Sequence, residues 1–316
     1  MAVRVCLMIE GQEDVTWEAW RAIAAACEDG GLEGLFRSDH YRSVMGRSER
    51  GSLDAWATLA GLSALTTRIR LGTLVSPATF RHPSALAKMA ATADHISGGR
   101  IELGLGAGWL EEEHRAYGFE FPPTEVRMEV LAEQLEIVHR SCTEEGFSFE
   151  GRHYTLTDCN AVPKPVQRPH LPLIVGGRAG RKSAALAARW ADEYNTVFVS
   201  PEVCARRRRT LERAFEAAGR TDLRFSLMTG CIVGESPRDV QRRVRNVMQR
   251  SGQEGDVLAW VGAHDSEWVI GTVGEVVDRL GEFAEAGVGR VMLQHLCHED
   301  LDMVHLLASE VVPRVD

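Results

Sequence analysis

Eight short apolar runs alternate with runs of helical period along almost the whole chain, and this alternation restricts the fold more than any other property. The apolar runs cover residues 4–10, 32–38, 69–76, 101–106, 173–176, 193–199, 225–233 and 290–295. Amphipathic runs fill the intervals at 16–29, 53–66, 84–96, 125–143, 181–191, 201–218, 237–250 and 273–286, with a last one at 299–312. Strands separated by helices must pair in parallel, because each crossover returns the chain to the same end of the sheet. Eight such units without a linker or a change of composition predict one α/β domain over residues 1–316, closed as a (β/α)8 TIM barrel. An open doubly wound sheet is the other arrangement that the alternation allows.

Three segments interrupt the repeat. Residues 107–124 follow the fourth strand, 147–172 read as a hairpin and a proline-rich loop, and 251–269 carry Trp260, His264 and Trp268. Long structured insertions commonly carry binding surfaces, so all three are expected at the C-terminal mouth.

Composition excludes several functions. A net charge of -9 argues against a nucleic-acid partner, and Arg206–Arg209 fall in a helical run where consecutive residues point around the axis. No apolar stretch approaches the roughly 18 residues of a membrane span, and Met1 leads directly into a strand, so a cytoplasmic protein is expected. The seven cysteines are scattered and form no C-x-x-C, which suits a reduced state.

In a barrel of this kind the chemistry sits at the C-terminal ends of the strands. After the second strand come Asp39 and His40, and an imidazole titrates in the range useful for acid–base work. After the fourth, Ile101, Leu103 and Leu105 alternate with Gly104, Gly106 and Gly108, so side chains are withdrawn where a ligand could approach backbone; a tight turn alone would use the same glycines. After the fifth, Gly176, Gly177 and Gly180 open a helix flanked by Arg178 and Arg181, a surface suited to phosphate, although a structural turn reads the same way. His295 and His298 follow the eighth strand. Without an obvious third ligand they are expected to line the site rather than hold a metal, with His295 and Trp268 as substrate contacts.

Missing residues narrow the chemistry further. The lysines, Lys88, Lys164 and Lys182, fall on helices or in an insertion, so no strand offers a Schiff-base nucleophile. The first strand has no histidine pair for a metal-dependent hydrolase. Glu111, Glu112 and Glu113 could form a carboxylate pair, but such a run at a helix start also serves the helix dipole.

Taken together, SDHY (38–41), RIRLGTLVSPATFRHP (68–83), GGRIELGLGAGWLEEEHRAYG (98–118), FEGRHYTL (149–156), PKPVQRPHLPLIVGG (163–177), AARWADEYN (187–195) and VIGTVGEVVDRLGEFAEAGVGRVMLQ (269–294) resemble the luciferase-like monooxygenase superfamily. The resemblance covers nearly the whole chain. It implies a barrel that holds coenzyme F420, a deazaflavin, or FMN, with the ring in the mouth and the phosphate near the fifth strand–helix loop. On that footing Asp39 and His40 contact the ring or move a proton. Thr73, Leu74 and Val75 back the ring, with a non-prolyl cis peptide at Leu74–Val75. Ala107, Gly108 and Trp109 approach the cofactor, and Gly176, Gly177 and Arg178 its phosphate.

The chain departs from the deazaflavin sugar-phosphate dehydrogenases at one point. Where they keep a catalytic glutamate this chain places Trp109, with Glu111 or Glu112 as substitutes only if the loop shifts. The expected activity is therefore F420-dependent hydride transfer to or from a small organic substrate, with FMN-dependent monooxygenation as the alternative. A non-catalytic flavin-binding barrel is the second alternative. A homodimer is compatible with the fold, though no seam is marked in the sequence.

Overall fold

Period-two alternation within each strand decides which side chains fill the barrel and which meet the helices. In the computed structural model, which describes residues 3–47 and 49–315, β1 (Arg4–Ile9) sends Val5, Leu7 and Ile9 outward to the helical layer and Cys6 and Met8 inward. The same division splits Leu35 from Phe36 in β2 (Gly34–Arg37), and Leu173 and Val175 from Ile174 in β5 (Leu173–Gly176). It splits Val291 and Leu293 from Met292 in β8 (Arg290–Gln294). Strands covered on both faces read as continuous apolar runs, which is why these segments stand out in the sequence.

The remaining barrel strands are β3 (Arg70–Thr73), β4 (Ile101–Gly106), β6 (Glu193–Val197) and β7 (Arg224–Gly234). Every neighbouring pair is parallel. The order runs β7-β8-β1-β2-β3-β4-β5-β6, and β6 pairs with β7 through registers such as Thr196↔Leu227, which closes the cylinder. All eight expected strands are present, and closure removes the open doubly wound alternative. Short pairings at Ser76–Pro77 on β4 and Val269–Thr272 on the end of β7 complete the sheet.

The crossover helices follow the expected runs, and local chemistry starts several of them. Thr16, Asp54 and Ser236 each accept a hydrogen bond from a backbone N–H of the first helical turn, satisfying one donor that has no partner within the helix. The C-terminal run is less regular: Leu301–Leu306 is α-helical and Leu307–Val311 is a π-helical turn.

Charge closes the lower end of the barrel. Arg290 Nη2 lies 2.6 Å from Glu102 Oε2 and 2.7 Å from Glu193 Oε2, and these three residues are buried at the starts of β8, β4 and β6. The Arg290 guanidinium also lies 5.2 Å from the centre of the Phe36 ring.

The insertions divide between the two ends. Residues 107–124 and 251–269 contribute to the mouth, but 147–172 does not. Its hairpin, Phe147–Glu150 with Thr155–Cys159, presses Phe147 and Leu156 onto Ile137 of the helix Thr124–Thr143. The following loop is held at the opposite end, because Asp94 accepts from Val166 N at 2.7 Å and Gln167 Nε2 donates to Ile101 O, at the start of β4, at 2.7 Å. The hairpin lays its apolar face on that helix, and none of residues 147–172 lines the cavity at the mouth.

Candidate active site

The C-terminal ends of the strands open into a cavity of about 1310 Å³. One wall is apolar, built from Met8, Leu74, Val75, Val197 and Met228. The peptide Leu74–Val75 is cis. Val75 stands against three glycines: a Cβ at Gly106 would come within 2.7 Å of Val75 Cγ2, and one at Gly176 within 3.1 Å of Val75 Cγ1. At Gly104 a Cβ would lie 2.1 Å from Thr73 O, so the glycines of β4 and β5 are required by the close approach of the chain after β3.

A second wall is cationic. The helix Arg181–Trp190 begins at Gly180, which has no side chain to cap it, and Arg178, Arg181, Lys182 and Ser183 line the cavity around this end. Bare helical N–H groups with adjacent guanidinium and ammonium groups are chemically suited to an anion. Behind them Tyr194 Oη accepts from Ala179 N at 2.8 Å and lies 2.9 Å from Ser183 Oγ, which fixes the turn.

Between the two walls stands His40. Its Nδ1–H donates to Glu113 Oε2 at 2.7 Å, and the other Glu113 oxygen accepts from Tyr41 N at 2.5 Å and Arg42 N at 3.0 Å. Burial on its own would lower the imidazole pKa, but the hydrogen bond and negative charge of Glu113 outweigh it and raise the value above the ordinary one. Burial likewise works against the Glu113 carboxylate, and its bonds to His40 and the two amides bring its pKa below the usual range. With Nδ1 engaged, His40 faces the cavity through Nε2. Trp109, 63% exposed, meets the ring edge-on at 5.6 Å.

The floor holds a buried carboxylate. Glu10, at the end of β1, accepts from Gln294 Nε2 at 2.5 Å and from Gln12 Nε2 at 2.6 Å, and Gln12 Oε1 accepts from Ser38 Oγ. Glu10, Ser38 and Gln294 all line the cavity.

Several residues singled out in the sequence take other positions. Asp39, next to His40, turns away to Arg81 Nη1 at 2.5 Å and Ser76 Oγ at 2.6 Å and does not line the cavity. Thr73 is buried and donates to Gly104 O at 3.1 Å, also outside the cavity lining. Glu111 and Glu112 are exposed on the first turn of the helix Glu111–Tyr117, with Glu112 3.5 Å from Arg42, so the third glutamate of the run is the one that reaches His40.

His295 is buried with its Nε2–H donating to Asp300 O at 3.1 Å, and burial holds its pKa down to about 4. The neighbouring Gln294 and Leu296 reach the cavity in its place. Leu74, Val75, Ala107, Gly108, Trp109, Gly176, Gly177, Arg178 and Trp268 do line it. Among the described residues no group of three or more His, Cys, Asp or Glu is placed to hold a metal ion, and no helix is long and apolar enough to cross a membrane.

The sequence reading missed Glu10 and took Glu113 only as one member of a run of three glutamates. Glu10 was accessible to the strand-end rule, since it directly follows β1; Glu113 needed the phase of a short helix.

Known proteins place this arrangement in context. The chain is 39% identical over 145 residues to an uncharacterised protein of Mycobacterium tuberculosis, Rv0953c, and spans about half (50%) of that protein's length. It is 32% identical over 208 residues to Rv3520c of the same organism, provisionally named a coenzyme F420-dependent oxidoreductase, covering 62% of this chain and 56% of that one. It is 28% identical over 263 residues to the pyrimidine monooxygenase RutA of Pseudomonas savastanoi, covering 79% and 70%. Among solved structures, the coenzyme F420-dependent tetrahydromethanopterin reductase of Methanopyrus kandleri superposes with a TM-score of 0.83 over 100% of both chains at 19% identity. The oxygenating constituent of 3,6-diketocamphane monooxygenase from Pseudomonas putida, in complex with FMN, gives 0.80 at 17%, over 100% and 99%. At such identities the superpositions speak for the fold alone. The family model described as luciferase-like monooxygenase matches residues 1–290, and the chain belongs to that family.

Proposed function

We propose that this protein is an oxidoreductase that binds coenzyme F420 across the barrel mouth and transfers hydride to or from a small organic substrate. The observation that carries the reading is His40, which faces the cavity through Nε2 while Glu113 holds its other nitrogen. Hydride transfer to a carbonyl or imine requires a proton at the neighbouring atom, and an imidazole whose pKa is raised by a carboxylate partner keeps that proton to higher pH than a free one. In the reverse direction the neutral imidazole accepts that proton.

The remaining residues fit the same group. The apolar wall of Leu74, Val75 and Met228 suits a flat ring, and the N–H groups after Gly180 with Arg178, Arg181 and Lys182 suit its phosphate. When bound, F420 supplies a two-electron hydride carrier that reacts poorly with oxygen. The protein orients it, excludes water along the apolar wall, and moves the proton at His40 Nε2. Glu113 positions His40 and does not itself line the cavity.

FMN-dependent oxygenation is the second reading, favoured by the similarity to a pyrimidine monooxygenase. Titration of the protein with F420 and with FMN, followed by turnover of each reduced cofactor with a panel of small carbonyl and imine acceptors, with and without oxygen, separates the two. Tight F420 binding and oxygen-independent turnover support the first reading. FMN binding without F420 binding refutes it, and binding without turnover of either identifies a non-catalytic barrel.

A further inference from the structure

Besides the apolar wall and the cationic helix end, the cavity has a third wall whose chemistry neither His40 nor a phosphate site explains. It is made by Phe198, Val247, Trp260, His264, Trp268 and Leu296. Trp260 and His264 lie one turn apart on the helix Val257–His264 and stack with ring centres 4.0 Å apart. Trp268 meets Trp260 edge-on at 5.3 Å and lies 6.1 Å from Phe198. Trp268 is set by Gly230 of β7, where a Cβ would come within 2.2 Å of the indole, so its position is fixed from behind. Trp260 is half-buried with no such constraint, because the helix that carries it has no buried residue.

The polar atoms of this wall are committed in a way that fixes what remains. Trp260 Nε1–H donates to Gln253 Oε1 at 2.5 Å, which uses that amide oxygen. His264 Nδ1–H donates to Trp260 O at 2.8 Å, so in the neutral ring Nε2 carries the lone pair, and among the described residues it has no partner. The segment 251–269 contains Glu254, Asp256, Asp265 and Glu267 and neither lysine nor arginine, in contrast to the cationic wall. None of these carboxylates lines the cavity, and neither does any cation of this segment, so this wall offers an anion no charged partner. A flat, uncharged ring with one hydrogen-bond donor is complementary to indole faces beside a single ring acceptor.

We infer that the Trp260–His264–Trp268 wall is the substrate subsite and selects neutral aromatic compounds bearing a hydroxyl or N–H, which His264 Nε2 accepts. This inference rests on the proposed function for the meaning of substrate, but its binding test does not.

Three probes decide it: 2-naphthol, 2-methoxynaphthalene, which lacks the donor, and 2-naphthyl phosphate, which adds charge. Binding to the protein is measured by calorimetry and by tryptophan fluorescence, without and with saturating F420. With F420 saturating, so that the cationic helix end is filled, the expected order is 2-naphthol tightest, with about a fivefold advantage over the methyl ether, the weight of one neutral hydrogen bond, and the phosphate weakest. His264→Phe should erase the advantage of the naphthol and leave the ether unchanged. Trp260→Leu should weaken both about tenfold while circular dichroism shows a folded barrel.

Naphthol binding that is unaffected by both variants, or that F420 displaces competitively, overturns the inference, since the ring would then sit elsewhere. F420 binding without naphthol binding also overturns it and leaves the proposed function standing. Naphthol binding that depends on Trp260 and His264 in a protein that takes no F420 supports the subsite and refutes the cofactor reading alone.

Discussion

Replacing Glu113 by Gln tests the central relationship in the site, because the change preserves shape while removing the charge behind His40. The amide oxygen can still accept from Tyr41 N and Arg42 N, but the amide NH₂ now meets His40 Nδ1 and forces that nitrogen to act as an acceptor. The imidazolium form loses its partner. A hydrogen bond between charged groups contributes about 1.5–3 kcal/mol, so the pKa of His40 should fall by about 1–2 units at 1.36 kcal/mol per unit.

The pH dependence of stability should then change sign. In the native protein the folded-state pKa of His40 lies above its unfolded value. Its contribution is fully present below about pH 6.5 and is lost as pH rises through the folded pKa. In Glu113→Gln, burial dominates and puts the folded pKa below the unfolded one, so stability is instead lost as pH falls. His295 and His298, which burial holds at about 4, give the same acid-side slope in both proteins and cancel in the difference.

Urea denaturation between pH 5 and 9, with NMR titration of the His40 ring, measures both effects. The stability difference should be largest at pH 5–6 and shrink toward pH 9. A His40 titration unmoved by the substitution would refute the reasoning. Glu112→Gln is the control: its exposed carboxylate should change stability by no more than about 0.5 kcal/mol and leave the titration unchanged.

Four further substitutions probe the frame around the site. Arg81→Met strands the buried Asp39 carboxylate and should cost about 3–5 kcal/mol in urea unfolding; a loss below about 1 kcal/mol would show that Asp39 does not depend on that ion pair. Gly104→Ala places a methyl 2.1 Å from Thr73 O and should lower the melting temperature or abolish soluble expression, whereas Gly180→Ala, with nothing near the added methyl, should be close to neutral. Arg181→Ala should weaken binding of F420 or FMN about tenfold and leave riboflavin, which lacks the phosphate, unaffected; an equal loss for riboflavin would move the phosphate away from this helix end.

The fold was legible because each barrel strand is covered on both faces and so carries its signal within a few residues: Val5, Leu7 and Ile9 alternate with Cys6 and Met8 without a polar break. The site was legible only where position along a strand was enough. His40 and the glycines after β4 and β5 follow from the strand-end rule. The role of Asp39 does not, because its partner Arg81 is 42 residues away and only the folded loop brings them together. The three glutamates 111–113 are chemically identical in sequence, and successive helical residues are turned by about 100°. Which one reaches His40 is set by where the short helix docks. The hairpin at 147–159 was recognisable, but its placement depended on Asp94 and Gln167 pinning the loop that follows.

The charged layer under the barrel has a consequence for how the chain is made. Glu102 and Glu193 are synthesised long before Arg290, which pairs with both and belongs to the final strand. A nascent chain that has not reached Arg290 would have to bury Glu193 without this counter-ion, at a cost of several kcal/mol. Completion of the cylinder is thereby tied to the arrival of the last strand, and fragments truncated before β8 should remain open and accessible to proteases.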